Sequence, residues 1–266
     1  MVEIHPPLPG PAILNAPLLS PIEQEDAMPD HAPNIPVIAA EVAALAPGFR
    51  ALSLTVEAAP IVRPEIAGRA MERACQALAR GEPAWAEAHL AAWAETFRRF
   101  GAKPQRTPCS AEALRKRALR DGRLPGIDPV VDLYNAISVQ FAIPAGGENL
   151  AAYAGTPRLV LADGSETFDT LSNGEAVVES PEAGEVVWRD DLGVTCRRWN
   201  WRQGVRTRLD ASARRMWFIL ESLPEMPLRA LYEAGDLLLD ELRLMMPGMR
   251  ADARLLPVAA SPTESV

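Results

Sequence analysis

Leu124-Pro-Gly-Ile-Asp-Pro-Val-Val-Asp-Leu-Tyr-Asn-Ala-Ile-Ser-Val-Gln-Phe-Ala-Ile-Pro-Ala-Gly-Gly-Glu-Asn-Leu150 holds two kinds of local pattern side by side. After a turn at Pro125-Gly126, Asp128-Pro129 opens a helix that runs to about Phe141. Asn135 interrupts its apolar run, on the face shared with Val131, Asp132 and Val139. Asparagine is a poor interior helix former, and a buried one needs a partner from backbone or ligand. Beyond Pro144, Gly146-Gly147 reads as a tight turn.

Around this helix, strands and helices mix. Phe49–Glu57 alternates apolar and polar residues and reads as a strand. Pro64–Arg80 and Pro83–Phe100 read as helices closed by Gly81 and Gly101. Ser110 is placed to cap a helix over Ala111–Asp121, closed by Gly122. Short strands are expected at Arg158–Leu161, Val186–Arg189, Val194–Trp199 and Val205–Leu209, with Asp190–Gly193 as a hairpin turn. A fifth helical region is expected from Asp210, and an amphipathic helix over Pro227–Met246. No βαβ rhythm emerges. The expected fold class is therefore α+β, a mixed or antiparallel β-sheet packed with several helices.

The chain has 266 residues, 48% hydrophobic. Residues 1–34 carry eight prolines and no helical period, and read as an extended or disordered tail. A single folded domain is expected over 35–246, followed by a C-terminal tail over 247–266. No apolar run is long enough to span a membrane, and no secretory signal is visible. Cys75, Cys109 and Cys196 are widely spaced, which fits a reducing cytoplasm and speaks against disulfides or zinc. The three histidines are His5, His31 and His89. His89 lies on an apolar helix face with Trp85 and Trp93 and reads as a packed residue. No metal and no cofactor is expected.

The formal net charge of −8 argues against a general nucleic-acid binder. Yet Arg98–Arg123 holds nine basic residues against two acidic ones, and Arg197–Arg215 seven against one. Such stretches suit a local polyanion contact or, equally, a solvated face with ion pairs. In Asp191-Leu-Gly-Val-Thr-Cys-Arg-Arg-Trp-Asn-Trp201, guanidinium and amide groups interleave with indoles. Read as a strand, it carries Arg198 and Asn200 on one face and Arg197, Trp199 and Trp201 on the other. That mixture suits either a pocket wall or a structural cation–π cluster. Glu221 ends the apolar run Met216–Leu220, as a helix-surface residue or as a pocket acceptor.

At these residues the chain resembles a known family. Val131-Asp-Leu-Tyr-Asn-Ala136, Pro144, Asn149-Leu150, Gly193-Val194 and Phe218-Ile-Leu-Glu-Ser222 are similar to the editing domain of the phenylalanyl-tRNA synthetase beta subunit, formed by its third and fourth modules. Free-standing proteins made of this domain alone resemble it further, in the Val-Asp-Leu-Tyr-Asn, Pro-x-Gly-Gly and Cys-Arg-Arg-Trp-Asn-Trp pieces. The resemblance covers roughly Phe49–Met246 and none of the aminoacylation core. It implies a tRNA-editing protein that hydrolyses mischarged aminoacyl-tRNA in trans, with a positioned water and no covalent nucleophile.

On that basis Asn135 and Asn200 are expected to be catalytic. Tyr134, Gly146, Gly147, Arg197, Arg198, Trp199 and Glu221 are expected to bind substrate, and Arg106, Arg115, Lys116 and Arg117 to contact RNA. The partner is an aminoacylated tRNA 3′ end, with no DNA and no membrane. Gly146 stands where the synthetase has a histidine, and Cys196-Arg197 where it has two glycines. The resemblance thus leaves the amino acid open. Two alternatives remain: a non-catalytic tRNA- or RNA-binding module, and a binder or hydrolase of a free amino acid or related small molecule.

Overall fold

Met216–Leu220 lies within a strand, not a helix, and that strand organises the molecule. The computed structural model describes residues 35–257. In chain order its elements are β1 (Val37–Ile38), α1 (Ala40–Leu45), β2 (Arg50–Glu57), α2 (Glu65–Ala79), α3 (Ala86–Arg99), α4 (Ser110–Asp121) and α5 (Pro129–Phe141). There follow β3 (Ala145–Asn149), β4 (Arg158–Leu161), β5 (Phe168–Ser172), β6 (Glu175–Glu179), β7 (Val186–Arg189) and β8 (Val194–Arg197). The last elements are β9 (Arg202–Gln203), β10 (Arg215–Ser222), α6 (Leu228–Met245) and β11 (Arg250–Leu255). The fold is α+β. No helix among the described residues is long and apolar enough to cross a membrane.

One sheet is antiparallel, in the order β11-β2-β10-β3. The other runs β1-β4-β7-β8-β5-β6 with β9 on β8, and its β1–β4 and β5–β8 pairs are parallel. β10 is covered on both faces. Met216, Phe218 and Leu220, with Leu52, Leu54 and Val56 of β2, pack against Ala74 of α2, Leu133 and Ile137 of α5, and Leu231 and Leu238 of α6. Trp217 and Ile219 join Trp93 and Phe97 of α3 and Val186 and Trp188 of β7 in a second core. A strand buried on both sides loses its apolar–polar alternation, so the sequence showed only an apolar run.

Other departures have similarly local causes. Val205–Leu209 is irregular, with Arg208 making one bridge to Glu148. Asp210 caps a turn by accepting from Ser212 N at 2.8 Å, and the chain enters β10 where a helix was expected. Ser110 does not cap α4. Cys109 holds that position without a side-chain bond. Asp128 does cap α5, accepting from Val130 N at 2.9 Å. β11 lies antiparallel on β2, beyond the domain end expected at Met246. The expected tail 1–34 lies outside the described residues, as does 258–266.

Two polar residues tie the layers. His89 Nδ1–H donates to Ala142 O at 2.8 Å, and its Nε2 accepts from Leu223 N at 3.0 Å. Burial holds its pKa down at about 4, so the ring is neutral at pH 7. Asp190, fully buried, accepts from Ala154 N, Leu192 N and Gly193 N and from both terminal nitrogens of Arg206, at 2.8–3.1 Å. Burial pushes its pKa upward, but Arg206 and the backbone donors outweigh that and hold it below the ordinary value. Asp190 therefore stabilises the fold above the ordinary carboxylate range and less as pH falls below it. Asp190→Ala strands the Arg206 charge and is expected to cost about 3–5 kcal/mol in urea unfolding at neutral pH. An unchanged midpoint would show that the loops do not depend on this carboxylate.

Candidate functional site

A cavity of about 280 Å³ opens on the second-core side of β10. Strand alternation sets its floor: Trp217, Ile219 and Glu221 point the same way, and the β3 register brings Glu148 opposite Trp217 and Gly146 opposite Ile219. Tyr134 and Asn135 of α5, and Ser110, Ala113 and Leu114 at the start of α4, line it from the helices. Trp188, Cys196 and the turn Trp199–Trp201 complete the wall.

Glu221 is the best-connected group. It is 1% exposed. Its Oε1 accepts from Trp188 Nε1 and Trp199 Nε1, both at 3.0 Å, and its Oε2 accepts from Asn200 Nδ2 at 2.9 Å. Burial raises its pKa to about 7 against the pull of these three donors. The carboxylate fixes the Asn200 amide with nitrogen inward. Its Oδ1 is then buried at the cavity wall with no partner among the described residues, and Ser110 Oγ is in the same state. Buried polar atoms are nearly always satisfied, so two orphans in residues of one cavity wall set it apart from the surrounding core. Asn135, half-buried, makes no side-chain hydrogen bond among the described residues.

The strand expected through Trp199 stops at Arg197. Arg198 and Trp199 both adopt left-handed backbone, at φ 45° and 67°, which is rare for residues other than glycine. Glu185 holds that turn. It accepts from Arg197 Nε at 3.0 Å, from Arg197 Nη2 at 2.8 Å and from the Arg198 N–H at 2.9 Å. Arg197 is thus a buried structural cation outside the cavity lining. Arg198 lies over the Trp201 ring at 4.6 Å and lines a separate polar cavity with Lys103 and Arg106. Trp199 is not a stacking platform. It is fully buried, edge-on to Phe49 and Trp93, with its N–H given to Glu221. Gly147 faces away, toward Tyr134 and Leu209, where a Cβ would meet ring and methyl carbons at 2.8 Å. Tyr134, Asn135, Gly146, Trp199, Asn200 and Glu221 are therefore brought together, while Gly147, Arg197 and Arg198 are not.

Sequence reasoning missed Glu148. It accepts from the Tyr153 hydroxyl, and burial raises its pKa to about 8, with Thr207, Gln203, Thr195 and Arg206 opposing. Its signal was the spacing Gly146-x-Glu148, a strand period masked by Gly-Gly, which reads as a turn. Trp188, Cys196, Gln203 and Trp217 carried no signal beyond core strands. The Cys196 thiol is pushed well above its ordinary range by burial and by both carboxyls, which disfavours the thiolate.

The four positions expected to meet RNA also separate. Arg115 is buried, donating to Val139 O at 2.6 Å and Glu82 O at 3.0 Å, and cannot face a polyanion. Lys116 pairs with Glu112 at 2.6 Å and Arg117 with Asp121 at 3.8 Å on the exposed face of α4. Arg106 is exposed and makes no ion pair among the described residues.

Both cavity carboxyls ordinarily titrate at 4.5, and in the fold at about 7 and about 8. Between those values the folded state holds protons that the unfolded chain has released. Stability should therefore fall as pH rises from the ordinary value through the folded ones. Melting compared at about pH 5 and about pH 8.5 should show that fall in the wild type and a smaller one in Glu148→Gln and Glu221→Gln. An identical slope in the variants would mean that the carboxyls are not buried as described.

No curated protein matches the chain. Among solved structures, an N-terminal fragment of the phenylalanyl-tRNA synthetase beta-subunit from Pyrococcus horikoshii is similar at 8% identity and a TM-score of 0.45, over 84% of this chain and 54% of that one. The chain thus spans about half the length of that fragment. A family model described as the B3/4 domain matches residues 92–232, more than half of the sequence and most of the cavity lining. The chain belongs to the B3/4 domain family, that of the phenylalanyl-tRNA synthetase beta subunit.

Proposed function

We propose that this protein hydrolyses the ester of mischarged aminoacyl-tRNA, with a positioned water and no covalent nucleophile. The observation that carries the reading is one amino-acid-sized cavity lined by Ser110, Asn135, Asn200 and Glu221, with Asn200 Oδ1 and Ser110 Oγ lacking a hydrogen-bond partner among the described residues. The ester is already activated, so orientation and electrostatic stabilisation are enough. The water oxygen adds to the carbonyl carbon, the C–O bond to the ribose breaks, and the proton ends on the departing ribose hydroxyl. Asn135 and the free Asn200 oxygen hold the water and the ester, and Glu221 accepts from a donor on the aminoacyl group. Two further features support the reading. His89 is neutral and committed to the backbone, and both Cys109 and Cys196 have thiols raised by burial. Arg117 lies one helical turn beyond Ala113 and Leu114 on the exposed face of α4, where it would have to exchange its 3.8 Å pair with Asp121 for an RNA phosphate.

A second reading, action on a free amino-acid ester without RNA, is favoured by the internal pairing of the basic stretch: Arg115 is buried, and Lys116, Arg117, Arg98 and Arg120 have acidic partners. Deacylation of a panel of mischarged tRNAs, wild type beside Asn135→Ala, tests the first reading. Release of one amino acid, reduced roughly 10²–10³-fold in the variant, is expected. No release from any member by folded protein would overturn it. Affinity for tRNA should also fall steeply with salt, whereas affinity for a free ester should not.

A further inference from the structure

The protein treats its buried carboxylates in two ways. Glu166 pairs with Arg189 at 3.0 Å, Glu185 with Arg197 at 2.8 Å and Asp190 with Arg206 at 2.8 Å. Asp132 accepts from Ile127 N at 2.8 Å at the N-terminus of α5, where the helix dipole favours negative charge. Among the described residues, Glu148 and Glu221 alone of the buried acids have neither an arginine nor a helix end. Both line the same cavity, and no lysine or arginine lines it among the described residues. Arg206, the nearest cation to Glu148, is committed to Asp190 and to Ala152 O at 2.7 Å.

The two glutamates stand at opposite ends of the β3–β10 floor of this cavity. Glu148 pairs in register with Trp217, and Glu221 lies four residues further along β10, about 13 Å away along the strand. Gly146 between them keeps the floor open, and Trp188, Trp201 and Trp217 line the sides. Aromatic walls with a carboxylate and no resident cation are what recognises a substituted ammonium or guanidinium group.

We propose that the ligand of this cavity carries a cationic amine and that Glu148 is its counter-ion, at the opposite end from Glu221. This rests on the reading that the cavity holds an aminoacyl group. A neutral hydroxyl would add little, since Tyr153 already donates one to Glu148. A metal ion would need further ligands, and no cluster of three candidate ligands exists among the described residues. The cavity sits at the lower end of ligand sites, about 300–1,000 Å³, which suits a single amino-acid group. The amine is either the α-ammonium or a side-chain nitrogen.

Binding of four uncleaved probes separates these sources: lysinamide, norleucinamide, Nα-acetyl-lysinamide and Nα-acetyl-norleucinamide, read by calorimetry and by cavity tryptophan fluorescence. The neutral fourth probe should bind roughly 10- to 100-fold more weakly than lysinamide. Of the singly charged probes, the tighter one names the amine that Glu148 receives. Glu148→Gln, shown to be folded by its melting curve, should erase the preference. Equal binding of all four, no binding by any, or a preference that survives Glu148→Gln would overturn the proposal, and the wild-type series stands without the variant. The proposed hydrolysis fails separately. A cation preference without tRNA deacylation removes that reading only, and deacylation without the preference removes this inference only.

Discussion

Glu221 is held by three N–H donors from two different places in the fold: Trp188 on β7, and Trp199 and Asn200 on the turn after β8. These contacts, within the second core, join the antiparallel sheet to the mixed one. Removing the carboxylate would strand three buried or half-buried donors, each worth about 1–3 kcal/mol when left unsatisfied. The cavity lies where this joint is made, so its geometry is set by the packing that holds the sheets together. Asn200 shows the economy of the arrangement: one end of the amide braces Glu221, and the other is buried without a partner among the described residues.

The turn that delivers Trp199 and Asn200 depends on a second buried carboxylate. Left-handed backbone at two consecutive non-glycine residues costs on the order of 1–3 kcal/mol each. It persists here because Glu185 binds the Arg197 guanidinium and the Arg198 N–H together, and because Trp199 is enclosed by Phe49, Trp93 and Phe100. Arg197 thus acts on the cavity only through the shape of the chain. Its pKa is raised by its hydrogen bonds with Glu185, the mark of a cation satisfied inside the protein.

What the sequence disclosed follows from which interactions are local. α2, α3, α5 and α6 lie close to where periodicity and end signals put them, because caps and spacing act within a few residues. β10 was hidden by burial on both faces, β3 by a glycine pair, and β11 by an exposed, charged edge composition. In the site, Asn135 and Glu221 stood out as polar residues in apolar surroundings, and Asn200 through its indole neighbours. Arg197, Arg198 and Trp199 stood out for the same reason, but Arg-Arg-Trp-Asn-Trp alternates as a strand would. Only the long-range bond to Glu185 reveals the turn that sends Arg197 and Arg198 away from the cavity. Glu148 went unseen because its meaning lies in the absence of an arginine, and pairing across the fold is not written locally.

The distribution of charge then separates structure from chemistry. Arginine-paired Glu166, Glu185 and Asp190 serve loops and turns, and the N–H groups and guanidinium on Asp190 hold its pKa down despite full burial. Glu148 and Glu221 are equally buried, yet their ionisation is resisted at neutral pH. A fold selected for stability alone would gain from replacing either by an apolar residue or from adding a cation, since an unpaired buried carboxyl is costly to ionise. Carboxyls poised near neutrality beside unsatisfied amide and hydroxyl oxygens are instead the arrangement expected where charge arrives from outside. The nearby Cys196 thiol is raised by burial and the one described histidine is held between backbone atoms, so among the described residues the groups of that cavity closest to neutrality are these two carboxyls.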